Sequence, residues 1–121
     1  MPQAPNAGGA FLPDVPRLEK PPVAIIATNG PLSIYSGVIR LTKATAAACI
    51  LPNPGINDDG LILMICNGSA AAHVITGSYQ DGVTGGTKTT ATMGAFIGAS
   101  MTLIALNRTW TVLALNVCPI T

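Results

Sequence analysis

Frequent interruption of the apolar stretches limits what this chain can fold into more than any other feature. From Val23 onward, short apolar runs are cut by turn-forming residues: Asn29-Gly30-Pro31, Pro52-Asn53-Pro54-Gly55, Asn67-Gly68, the glycine-rich 82–86 and Asn107-Arg108. Such punctuation leaves no window for a long amphipathic helix and matches the spacing of short strands. The strand-like windows are 23–28, 32–43, 61–66, 70–77, 101–106 and 109–115. The first ends at a turn, and the second alternates around Gly37, where a bulge or bend is expected. The run LILMIC (61–66) is continuously apolar, as in a strand buried on both faces. Asn67-Gly68 predicts a two-residue hairpin into 70–77, and Asn107-Arg108 predicts a second one. In the second, Asn107 suits the left-handed conformation better than Arg108 does. The alanine-rich 44–51 fits strand or helix, and SYQDGVTGGTKTT (78–90) reads as a surface loop. The fold class expected is all-β, a small antiparallel β-sandwich or barrel.

Residues 1–22 are different. Pro2, Pro5, Pro13, Pro16, Pro21 and Pro22 exclude helix and central strand there and favour extended backbone. Phe11, Leu12, Val15 and Leu18 are apolar anchors that a pure spacer would not need. The chain therefore divides into an extended Pro-rich N-terminal arm, 1–22, and a β domain, 23–121, with the four anchors expected to contact another surface.

Charge bounds the function. Only 9% of the residues are charged, against roughly 25% in ordinary soluble domains. A small domain has proportionally more surface to cover, so much of this surface is expected to face other protein. Arg17, Lys20, Arg40, Lys43, Lys88 and Arg108 are scattered and the net charge is +1, which argues against phosphate recognition and nucleic acid. The N-terminus lacks the basic and apolar regions of a secretory leader. Met93–Leu106 is shorter than the ~20 residues a helix needs to cross a bilayer, so no membrane partner is expected.

Candidate chemistry is sparse. His73, the only histidine, is read as a hydrogen-bonded structural residue, with a pH-responsive interface role as the alternative. Asp58-Asp59 is expected to accept hydrogen bonds from backbone amides in its loop. Cys49, Cys66 and Cys118 lack metal-ligand spacing and read as small buried thiols. Trp110 is expected to anchor either the core or a subunit interface. The chain is expected to be no enzyme and to hold no cofactor or metal.

Residues 37–115 resemble a known group. GVIRLTKATAAACILPNPGINDDGLILMICNGSAAAHVITG, followed by GAFIGASMTLIALNRTWTVLAL, is similar to small β-rich proteins encoded among tailed-bacteriophage virion genes. The resemblance rests on the Leu41-Thr42-Lys43-Ala44 run and the Pro52-x-x-Gly55-x-x-Asp58-Asp59-Gly60 loop. It also rests on Ala72-His73-x-x-Thr76-Gly77 and the closing hairpin with Trp110. One departure is Asn107-Arg108-Thr109, where the group has an Asn-Gly-Lys type of turn. Such proteins serve as capsid decoration (cement) proteins or as parts of head or tail fibres. The resemblance implies a non-enzymatic virion protein, made in the host cytoplasm and placed on the outer capsid surface. It would oligomerise, as a homotrimer, and stabilise the lattice of the major capsid protein through its arm. The alternative is a head-fibre or tail-fibre module that binds a host receptor or glycan, with 78–86 as its recognition surface.

Overall fold

A computed structural model of the chain describes residues 20–33 and 36–121. The described residues form nine strands and no helix: β1 (Val23–Ile26), β2 (Gly30–Pro31), β3 (Gly37–Leu41), β4 (Ala48–Ile50), β5 (Ile62–Asn67), β6 (Val74–Gln80), β7 (Thr87–Thr92), β8 (Ser100–Leu106) and β9 (Thr109–Asn116). The molecule is all-β. All nine strands belong to one curled sheet in the order β1-β3-β5-β8-β9-β6-β4-β2, with β7 paired to the free side of β6.

The sheet is mixed, which corrects the expectation of an antiparallel sandwich. Pairs β1/β3, β3/β5, β2/β4, β4/β6 and β6/β9 are parallel, whereas β5/β8, β8/β9 and β6/β7 are antiparallel. The cause lies in the connections. Consecutive strands do not fold back on each other; β1, β3 and β5 go to one wing and β2, β4 and β6 to the other. Each return to a wing crosses the molecule, and a crossing connection yields a parallel neighbour. Wing one is β1-β3-β5-β8-β9 and wing two is β2-β4-β6-β7. The last residues extend wing two: Ile120 bridges Ala91, and the Thr121 and Thr90 backbones exchange hydrogen bonds of 2.8 and 3.0 Å.

Both wings turn one face toward a common core. Ile39, Leu41, Leu63, Ile65, Met101 and Leu103 from wing one meet Cys49, Leu51, Ile75, Tyr79, Ala91 and Met93 from wing two. Alternation puts these side chains on the inner face, because successive residues of a strand point to opposite sides. The wings join where β6 runs beside β9, and there Tyr79 is the register partner of Trp110. Both aromatics are fully buried. The Trp110 indole N–H donates to the Pro52 carbonyl at 2.9 Å and the Tyr79 hydroxyl donates to the Ile75 carbonyl at 2.9 Å, so burial leaves neither polar group unpaired.

Two further expectations change. Asn67-Gly68 is no hairpin, since β5 pairs with β3 and β8 while β6 lies in the other wing. The Asn67 side chain explains why the chain departs there. Its Nδ2 donates to the carbonyls of Ala71, Gly94 and Phe96 at 3.0, 2.8 and 3.2 Å. A residue that gathers three carbonyls from two loops has a fixed position in the interior, not at a turn tip. Second, 78–90 is not a loop throughout: β6 continues to Gln80 and β7 begins at Thr87. The threonines of β7 are β-branched and tolerate one wet face. The segment 44–51 resolves as strand over Ala48–Ile50.

The Asn107-Arg108 hairpin and the bend at Gly37 are present. Asn107 and Arg108 have φ of 51° and 62°, as a tight turn with two left-handed residues requires. Gly37 has φ of +110°, and a Cβ there would lie 2.5 Å from the Pro22 carbonyl oxygen. Glycine is needed at this point because the incoming chain lies directly on β3.

Candidate functional site

His73 immediately precedes β6 and is fully buried. Its Nδ1 accepts the Ala47 backbone N–H at 2.9 Å, and its Nε2 sits 2.9 Å from the Ser69 hydroxyl. Ser69 in turn donates to the Lys43 carbonyl at 2.6 Å. These contacts fix the tautomer: an acceptor Nδ1 leaves the proton on Nε2, which donates to Ser69. The serine proton already belongs to Lys43, and the imidazole has no free lone pair to take it. The arrangement therefore clamps the 43–47 connection to the 69–73 connection instead of activating a nucleophile. Burial, helped by the nearby Lys43 charge, lowers the His73 pKa below its ordinary value.

The carboxylates serve the backbone, Asp58 within its own loop as expected and Asp59 at the distant β8–β9 turn. Asp58 accepts the Gly55 N–H at 2.6 Å, and Asp59 accepts the Asn107 N–H at 2.8 Å. Asp81 accepts the Val83 N–H at 2.9 Å and the Thr84 hydroxyl at 2.7 Å. The hydroxyl bond is the largest cause holding its carboxyl below the usual range. Cys49 and Cys118 are buried free thiols; burial raises both, Cys118 to about 11, so neither is poised as a thiolate. Among the described residues, no group of three or more His, Cys, Asp or Glu is placed to hold a metal ion. No helix among them is long and apolar enough to cross a membrane.

Two surface features remain. One is a cleft of about 240 Å³ between the turn after β6 and the second half of β9, lined by Asp81, Val83, Val112, Leu113 and Leu115. It falls below the ~300–1,000 Å³ of most small-molecule sites.

The other feature is the outer face of wing one. Residues of β3 and β5 point alternately in and out, with Ile39, Leu41, Leu63 and Ile65 inward. Outward stand Val38, Ile62 and Met64. Register extends the face: Val23 lies beside Val38 and Val38 beside Met64, while Ile62 lies beside Ile104 of β8. Val23, Ile25, Ile62 and Met64 are 61%, 64%, 48% and 40% exposed. Among the described residues of this face Arg40 is the one charge, and its guanidinium lies back over Gly68 at the rim. LILMIC is thus covered on one face only, a correction to the reading of a strand buried on both. Strand alternation sets Ile62 and Met64 outward in the structure, and the run carries no polar residue that would have shown it.

Of the residues singled out in the sequence, Trp110 and His73 are inside this chain's core. Phe11, Leu12, Val15 and Leu18 lie outside the described residues. No protein-family model and no curated protein sequence matches the chain.

Proposed function

We propose that the chain is a non-enzymatic virion structural protein, a capsid decoration protein that assembles as a homotrimer and binds the lattice of the major capsid protein on its outer surface. The observation that carries this reading is the uncovered apolar face of wing one on a chain with so few charges. Parallel strands occur almost only where both faces are covered, and β1, β3 and β5 are parallel with one face open. Exposed apolar patches of this kind mark contact with other protein. The resemblance of residues 37–115 to phage virion proteins supplies the lattice, and the arm anchors Phe11, Leu12, Val15 and Leu18 supply the means of attachment. Three arms on one trimer would bind with avidity, since the second and third contacts are intramolecular.

The test is attachment to undecorated capsids, with bound mass quantified per particle. Saturation at a fixed stoichiometry is expected, lost on deletion of residues 1–19. The deletion stops there because the Pro22 carbonyl already accepts the Val38 N–H at 2.9 Å. Full occupancy by the truncated protein would remove the arm from the proposal, and no binding by the full chain would remove the decoration role.

A second reading, a fibre module for a host receptor or glycan, is favoured by the cleft at Asp81–Val83, which falls within the 78–86 segment expected to bind. Binding of a host glycan that is lost in Val83→Glu would decide for it.

A further inference from the structure

We infer that copies of this chain join through the outer face of wing one, with Val23, Ile25, Val38, Ile62, Met64 and Ile104 as the buried centre of the contact. The inference rests on the oligomeric reading above and names the surface that makes the oligomer.

The occupant is a second copy of the same chain. Around a three-fold axis the same face of each copy converges, so the face must tolerate its own copies, and like charges brought together there are costly. The centre of this face carries no charge, and Arg40 is withdrawn to its rim. Arg40 lies in one row with Ile25 on one side and Cys66, Ser100 and Asn116 on the other, and this row forms the polar margin of the face. An apolar centre with a polar rim is the usual anatomy of a protein interface.

The size fits as well. Four strands at about 4.8 Å, over about five residues at 3.3 Å, give a footprint on the order of 300 Å². That is about two fifths of the ~800 Å² each partner buries in a standard interface, a dry centre within a wider rim. Lys20–Pro22 lead into β1, the edge strand of this wing, so copies packed through this wing would bring their arms to one assembly.

The outer face of wing two provides the contrast. Its rows are Ala48–Val74–Thr92 and Ile50–Thr76–Thr90, and the threonine hydroxyls there are well served by water.

The experiment is sedimentation equilibrium of the full chain and of Met64→Glu, with Thr76→Glu as control. Folding of each would be checked by circular dichroism. The wild type and Thr76→Glu should sediment as the same oligomer, and Met64→Glu should self-associate at least tenfold more weakly. If Met64→Glu does not fold, Ile25→Gln on the exposed side of β1 replaces it, with the same expectation.

A folded face variant that keeps the wild-type oligomer would overturn the inference, as would a monomeric wild type. Capsid attachment is read separately. A monomeric Met64→Glu that still binds particles leaves both proposals standing with weakened avidity. An oligomeric wild type that binds no particle keeps the face and defeats the decoration role. A monomeric wild type whose particle binding is lost in Met64→Glu would assign the face to the lattice and refute the second copy.

Discussion

The two wings share one core yet show opposite outsides. Wing one presents Val23, Ile25, Ile62 and Met64 with Thr102 and Thr111 beside them, whereas wing two presents Thr76, Thr90 and Thr92 around Ile50 and the half-buried Val74. Both are built from the same device, parallel strands delivered alternately by crossing connections. Strand propensity alone accepts either outside, since valine, isoleucine and threonine are all β-branched and fit a pleated surface. Hydration separates them. A threonine face can stay wet at little cost, but leaving a large aliphatic side chain in water forfeits roughly 1.5–3 kcal/mol each relative to burial. The comparison teaches that one outside is finished by solvent and the other by protein.

The hardest way to break that comparison is at the seam where the wings meet. Trp110→Ala removes the side chain that packs beside Tyr79 and caps Pro52. Truncations of this kind cost about 3–5 kcal/mol, which is most of the stability of a small domain. Chemical denaturation should show one cooperative transition at lower midpoint. Two separate transitions would mean that the wings hold independent cores and that their outsides need not be compared.

Asn67→Ala tests the connection from wing one to wing two. It removes the side-chain donor from three carbonyls that keep backbone donors, the N–H groups of His73, Phe96 and Ala99, and leaves the strands intact; a lost hydrogen bond of this kind costs about 0.5–1.5 kcal/mol. The Asn67 Oδ1 atom is buried without a partner, so the amide group serves through its N–H bonds alone. Asn67→Asp should be worse, because it sets a carboxylate against the same carbonyls. A thermal melt unchanged by either substitution would show that the fold does not depend on this stitch.

This stitch shows why part of the fold was legible in the sequence and part was not. Most strands were visible because alternation and turn residues are local, but β7 lay in a segment read as loop and β4 in one that fitted strand or helix. The pairing was not, because Asn67-Gly68 has the chemistry of a hairpin turn and nothing adjacent reveals that its amide is claimed by Gly94 and Phe96, far along the chain. Likewise, Asp58 and Asp59 were readable as backbone acceptors, but the reach of Asp59 to Asn107 was not. The face of wing one was half legible: Ile62 and Met64 stood at alternate positions of an apolar run. Only the register with Val23, Val38 and Ile104 turns them into a surface.

Acidification probes the second stitch between the wings. A folded-state His73 pKa below 6.5 means that the unfolded chain binds the proton first as pH falls. The stability is therefore complete above pH 6.5 and lost as pH drops from there toward the folded-state value. Protonated Nδ1 would face the Ala47 N–H as donor against donor. His73 is the chain's only histidine, so melting temperatures measured between pH 7.5 and 5 should fall for the wild type. They should stay level for His73→Gln, which begins lower. A wild type with a flat profile would contradict the clamp.

The smallest effect belongs to wing one alone, at the hairpin that carries β8 into β9. Arg108 holds φ of 62° and is exposed. A left-handed residue other than glycine costs about 1–2 kcal/mol, although glycine also loses more freedom on folding. The difference predicts that Arg108→Gly raises stability by about 0.5–1 kcal/mol, seen as a higher denaturation midpoint with the same slope. Asn107→Ala should do the reverse, since alanine cannot offer the local polar contacts that let asparagine adopt this conformation. Because the turn lies beyond Ile104 at the end of β8, outside the six residues that centre the contact, Arg108→Gly should leave the sedimenting species as it was. A change of oligomer with the change of turn would place the hairpin inside the contact and redraw the face proposed for it.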